Sequence, residues 1–237
     1  MKKIIILLIP FILKSFFLEL EIHETQEFKE VAHIFETPDP QTLFVFDIDD
    51  TLIINPSYGA RKKTPHYHNI KSFLKALRTF SRVVHEAPYV IIDPLILDLI
   101  LSLHHKGIKM LALSHCITGS FGMGSDIIPS VPRWRYEKLK DSGIDFSSSF
   151  ENQEITFEYT MKMKTFHPLY YKGILFTDYV CKGSMLGKFL ETIRWKPSNV
   201  IFFDDKLTNL QAVQMAMHAK NIPFQGFLYK GPLHEKI

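Results

Sequence analysis

The chain has 237 residues and is 46% hydrophobic, enough for one α/β domain with a modest insertion and a substantial core. Its formal net charge of +3 is too small to argue for nucleic acid or an anionic membrane surface as partner, and no window reads as a basic recognition helix. No internal repeat or low-complexity tract is visible.

Met1-Lys2-Lys3 precedes the apolar run Ile4 to Leu13. A short basic start followed by an apolar segment is the pattern of a secretory signal peptide. The run is too short to span a bilayer alone, Lys14 interrupts it, and no small-x-small cleavage site follows. Residues 1–21 therefore read as a signal peptide or an N-terminal anchor, with a buried N-terminal helix as the third option. The first predicts export to the periplasm or beyond, the second a tether to the inner membrane. Nothing else has the length of a transmembrane helix.

Beyond it, Thr25 to Phe35 has a helical pattern, with Phe28, Val31, Ala32 and Phe35 on one face, and Pro38 and Pro40 end it. Leu43 to Ile48 reads as the first buried strand. An insertion follows from Asn55 to about Tyr89. It opens with a Pro56-Ser57-Tyr58-Gly59 loop and a basic patch at Arg61, Lys62 and Lys63, then shows Ile70, Phe73, Leu74, Leu77 and Phe80 at helical spacing. Asp93-Pro94 starts a helix that runs to about His105, where Gly107 suits the C-terminal cap. Ile108 to Ser114 is a second buried strand, and Ser130 can cap a helix that ends near Gly143. Residues 149–170 are aromatic and partly alternating, consistent with a small hairpin or an irregular second insertion. Gly173 to Thr177 and Asn199 to Phe203 are further strands, followed by helices from about Gly183 and Asn209. A short strand at Phe224 to Tyr229 closes the domain. This alternation of strand and helix predicts a parallel, doubly wound sheet.

Chemistry concentrates where strands run out, the end at which open α/β sheets bind ligands. Asp47 and Asp49 follow the first strand at a spacing of two, which within one strand would put both carboxylates on one face. A buried strand ending in paired acids is costly unless a metal or a reaction uses the charge. The second strand ends in Ser114, either a site hydroxyl or a local turn former. Lys182 lies at a helix start, where helix N-terminal charge adds to its own. The fourth strand ends in Asp204-Asp205. Asn209 is either a polar site residue or an ordinary helix-start residue.

Asp47-x-Asp49-x-Thr51, Ser114, Lys182 and the Asp204-Asp205 pair, in this order, resemble the four signatures of the haloacid dehalogenase (HAD) superfamily. The resemblance covers roughly residues 42–230. It implies a HAD-like, Rossmann-like three-layer fold over residues 22–237, with a small cap at about 55–89 and a minor insertion at about 149–170. It implies that Asp47 is a nucleophile attacking phosphorus and Asp49 the general acid/base, with Thr51 completing the motif. Ser114 would bond a phosphoryl oxygen, and Lys182 would neutralise the carboxylates and the phosphate. Mg²⁺ would be held by Asp47, Asp204 and the main-chain carbonyl of Asp49, with Asp205 acting at its edge. An acid at position 49 points to phosphate-ester hydrolysis of a small phosphorylated substrate. The runner-up is a catalytically weak HAD-like binding or effector protein of secreted type. The layout is similar to a bacterial branch of the superfamily with a leader and a small insertion.

Other constellations fail. His66, His68 and the pair His104-His105 lack zinc spacing, and Gly119, Gly122 and Gly124 form neither a P-loop nor a dinucleotide fingerprint. Cys116 and Cys181 both fall near the predicted catalytic rim, where an exported protein could bridge them but need not.

Overall fold

A computed structural model of the chain describes residues 21–55, 82, 88–122, 127–161 and 164–231. The leader and nearly all of the 55–89 insertion, with its basic patch and His66 and His68, lie outside the described residues. The described part is an α/β unit with a mostly parallel central sheet and flanking helices. Strands β1 (Ile22–Thr25), β12 (Phe224–Tyr229), β11 (Asn199–Asp204), β2 (Thr42–Phe46), β5 (Lys109–Ser114) and β10 (Ile174–Phe176) lie side by side in that order, all parallel. Beyond β10, β9 (Leu169–Tyr171) and β6 (Glu154–Thr156) extend the sheet antiparallel.

The central strands β2, β5, β10 and β11 are buried on both faces, and their period of two divides the core. Leu43 and Val45 of β2 point into one apolar cluster, Phe44 and Phe46 into the other. A 3-10 helix (Phe28–Phe35), α1 (Leu95–His105) and α2 (Val131–Asp141) cover the Phe44 side. Helices α3 (Lys182–Thr192) and α4 (Leu207–Ala219) cover the Val45 side, bringing Phe189, Leu190, Leu210 and Val213 onto the sheet.

Local signals account for several boundaries. Asp93 Oδ1 accepts from the amide of Leu95 at 3.0 Å at the start of α1, and Gly107 closes it with φ +69°. The Ser130 hydroxyl accepts from the Arg133 amide at the start of α2.

Two features differ from the sequence reading. The first strand stops at Phe46 rather than Ile48, because the chain turns immediately after Asp47. The segment read as helix from Thr25 to Phe35 is a 3-10 helix only over Phe28–Phe35, where Phe28, Val31 and Phe35 are buried, and Thr25 instead ends edge strand β1. Within residues 149–170 the described part takes the hairpin alternative, as short antiparallel strands. Besides β6 and β9 they include β7 (Tyr159–Met161), paired with β8 (Lys164–Phe166).

Candidate functional site

Register brings the acids together. β11 pairs with β2 so that Phe203 faces Phe46, and the amide of Asp47 donates to the Phe203 carbonyl at 2.8 Å. Asp204 and Asp47, each next in line, therefore end adjacent strands side by side at the carboxyl edge of the sheet. β5 lies on the other side of β2 and ends in the buried Ser114.

After Asp47 the chain makes a tight turn. The amides of Leu52 and Ile53 both donate to the Ile48 carbonyl at 3.0 Å, and Asp50 takes φ +63°. Burial of Ile48, Leu52 and Ile53 anchors the turn, while Asp47, Asp49 and Asp50 line a cavity of about 580 Å³. The two acids thus reach one cavity through a turn, not as alternate residues of one strand. Thr51 is fully buried under the turn, and its hydroxyl has no partner among the described residues. Strands β3 (Ile53–Ile54) and β4 (Val90–Ile91) pair antiparallel, and both ends of the insertion, Asn55 and Tyr89, line the same cavity.

Lys182 is the hub. It opens α3, and its Nζ donates to Asp47 Oδ1 at 2.5 Å and to Asp204 Oδ2 at 2.7 Å, all three side chains being buried. Burial works against the ammonium charge, but the two carboxylates outweigh it and hold its pKa above the ordinary lysine value. Burial raises the pKa of Asp47, with Lys182 opposing and Asp204 adding to the rise. Asp204 is further held by the Asn209 amide, at 2.9 and 3.1 Å, and by the Lys206 main chain at 2.8 Å. Asn209, open at the level of sequence, is thereby a site residue. Lys188, the other lysine of the same helix, is exposed.

Asp205 is nearly buried, and its Oδ1 has no hydrogen-bond partner among the described residues; Lys206 Nζ stands 3.7 Å away. Burial first, then repulsion from Asp47, pushes Asp205 up to about 6. Carboxylate oxygens of Asp47, Asp204 and Asp205 all lie within 4.8 Å of one another. This all-oxygen donor set, with one buried oxygen unpaired, suits a hard cation such as Mg²⁺.

Asp49 points elsewhere. Its Oδ1 accepts from the guanidinium of Arg135 at 2.9 Å. Arg135 comes from α2, is buried (5% exposed), packs against the rings of Tyr89 and Trp134 at 5.2 and 5.0 Å, and reaches Cys116 Sγ at 3.8 Å. Burial opposes its charge, yet Asp49, Cys116 and Tyr89 keep its pKa above the ordinary arginine value. The sequence reading missed this residue, along with His115, Tyr89 and Tyr179 on the cavity wall. His115 is shifted down by burial and by the charges of Lys182 and Lys206. Cys116 lines the cavity and Cys181 immediately precedes Lys182; both are free thiols.

A family model described as "Protein of unknown function (DUF2608)" matches residues 24–236. The chain belongs to this family. Among relatives of this DUF2608 chain, an uncharacterised protein of Rickettsia prowazekii (strain Madrid E) is 23% identical over 209 residues, 85% of this chain and 74% of that one. One of Rickettsia typhi (strain Wilmington) is 24% identical over 247 residues, covering 94% and 81%. A protein of Rickettsia felis is 30% identical over 126 residues, 52% of this chain and 42% of that one. The family match runs from within β1 through β12, so every site residue named above lies within it.

Proposed function

We propose that the sheet is of the HAD-like doubly wound type and that the protein is a Mg²⁺-dependent phosphomonoester hydrolase acting through an aspartyl-phosphate on Asp47. The observation that carries this reading is the buried Lys182 ammonium bridging Asp47 and Asp204 where β2 and β11 end. A carboxylate held in one position beside a fixed cation is suited to attack an anionic phosphoryl group.

In this mechanism an Asp47 oxygen attacks phosphorus and the bond to the ester oxygen breaks. Lys182 offsets charge gathering on the phosphoryl oxygens, and the Ser114 hydroxyl donates to one of them. Asp49 supplies a proton to the departing oxygen, then takes one from the water that attacks the aspartyl-phosphate. Asp47, Asp204 and the Asp49 main-chain carbonyl would hold Mg²⁺, with Asp205 at its edge; the ion supplies charge neutralisation for substrate and carboxylates. The test is phosphate release from a generic phosphomonoester: activity with Mg²⁺, loss with EDTA, recovery on readdition, and loss in Asp47→Asn. Full activity in metal-free buffer would falsify the metal assignment.

One observation favours the second reading, a catalytically weak binding or effector protein. Asp49 is engaged by Arg135, and a carboxylate so held must leave that pair before it can hand over a proton. Asp49→Asn separates the two readings. In a hydrolase it slows turnover by about 10²–10⁴-fold and accumulates phospho-Asp47 from an activated aryl phosphate, seen as added phosphoryl mass. In a binding protein no phosphoenzyme forms in either variant.

A further inference from the structure

Between β10 and α3 the chain makes a four-residue turn, Thr177 to Val180, closed by the Val180 amide donating to the Thr177 carbonyl at 2.9 Å. Its central residues, Asp178 and Tyr179, have φ +47° and +65°. Two consecutive left-handed residues make a turn that glycine and asparagine favour, and an aromatic residue there is strained. The strain is imposed by fixed neighbours. The Asp178 carboxylate accepts from the His167 amide at 2.8 Å, and the Asp178 amide donates to the Cys116 carbonyl at 3.1 Å.

The result is an aromatic ring held in the open. Tyr179 is 60% exposed, lines the cavity that holds Asp47, and lies 5.7 Å from the His115 ring. Tyr89 and Trp134, in edge contact at 5.7 Å, are aromatic rings elsewhere in the cavity lining. A cavity of about 580 Å³ is far larger than a phosphoryl group needs and falls in the range, about 300–1,000 Å³, that takes a whole small molecule. Backbone strain persists where the surroundings over-determine it, and it gathers at ligand sites. Here its product is a flat apolar surface on the wall of the cavity that holds Asp47.

We propose that Tyr179 is a specificity-determining platform on which the substrate stacks, and that the substrate is a phosphomonoester with a planar aromatic ring at or next to its ester oxygen. This rests on the hydrolase reading. The ring lies against Tyr179 while the phosphoryl group meets Asp47 and Lys182, so its stacking sets affinity and not the chemistry.

Two measurements keep this proposal separable from the hydrolase reading. The first is calorimetric binding of benzylphosphonate against cyclohexylmethylphosphonate, in Mg²⁺, to the full chain. The ligands match in size and charge and differ in flatness. The wild type should prefer the aromatic ligand by about 2- to 12-fold, the span expected of one aromatic contact. Tyr179→Phe should keep the preference. Tyr179→Gly should lose it while raising the melting temperature, because glycine relieves the turn. A residue of purely structural importance would, on Tyr179→Gly, lower stability and preference together, or change stability alone. Equal binding of the two phosphonates, no binding of either, or a preference surviving in Tyr179→Gly overturns the platform. The second measurement is turnover of the corresponding phosphates. A binding preference without phosphate release refutes the hydrolase reading and leaves the platform in place. Free phosphotyrosine and a short phosphotyrosine peptide, compared in the binding assay, separate a small-molecule source of the ring from a protein source.

Discussion

Lys182 offsets two buried carboxylates at once, so its removal should be felt in stability before it is felt in catalysis. Lys182→Met leaves Asp47 and Asp204 buried, like-charged and adjacent. Breaking such a group by removing one partner costs about 3–5 kcal/mol. Chemical denaturation should show that loss in EDTA and a partial recovery in millimolar Mg²⁺, since a divalent cation can stand against the same oxygens. A loss that Mg²⁺ does not reduce would count against these carboxylates as its ligands. Asp205 gives a pH test. Its value is near 6 in the folded chain against an ordinary 3.8, so the native state keeps a proton that the unfolded chain releases. Stability of the metal-free protein should therefore fall as pH rises from about 4 to about 6, and burial of Asp47 acts in the same direction. Metal binding needs the deprotonated forms, so the rise in melting temperature on adding Mg²⁺ should be larger at pH 7 than at pH 4.5. A larger rise at the lower pH would exclude Asp205 from the site. At this scale the sequence was informative wherever an acid or hydroxyl ends an apolar run, as at Asp47, Ser114 and Asp204. Arg135 could not be read that way. It sits in a helix rich in charged residues, and its partner Asp49 is 86 positions away in the chain.

Elements carry those side chains into register, and α3 and α4 meet at a close backbone approach. A Cβ on Gly183 would overlap the Ala212 carbonyl in the backbone of α4, so only glycine permits this approach. Gly183→Ala must push the start of α3 away from α4. Because Lys182 is the preceding residue, its ammonium should move off Asp47 and Asp204. We expect a lower melting temperature together with a fall in phosphate release, while Gly107→Ala, at an open helix end, should affect stability alone. Equal activity of Gly183→Ala and wild type would show that α3 tolerates the shift. Central elements were legible because their apolar runs are continuous: β5, β11 and β12 match the reading to within one residue. The edges were not. β1 has a buried Thr25 but exposed His23 and Glu24, so nothing in its four residues separates a strand from the start of a helix. The antiparallel strands of residues 154–171 were left between a hairpin and an irregular insertion because each spans only three residues, too few for periodicity to decide.

For the whole molecule, alternation of strand and helix implied a parallel sheet with helices on its faces, and the described residues have that architecture. The order of strands was not implied. It places β2 centrally between β11 and β5, which is why acids from two strands and a hydroxyl from a third converge. The insertion at 55–89 was expected to cover the site. It lies outside the described residues, although both its ends reach the cavity. Among the described residues no helix is long and apolar enough to cross a membrane. The placement of β1 gives the molecule a polarity. β1 runs parallel to β12, so Ile22 starts at the amino-terminal edge of the sheet, while Asp47, Ser114 and Asp204 finish at the opposite edge. Glu21 is fastened there, its carboxylate paired with His218 at 2.7 Å on α4. The peptide bond into Glu21 therefore joins the domain at the pole remote from the cavity. Attached to a surface through that bond, the domain would turn the carboxyl edge of its sheet outward, and a solute would reach Asp47 without passing between the protein and its support.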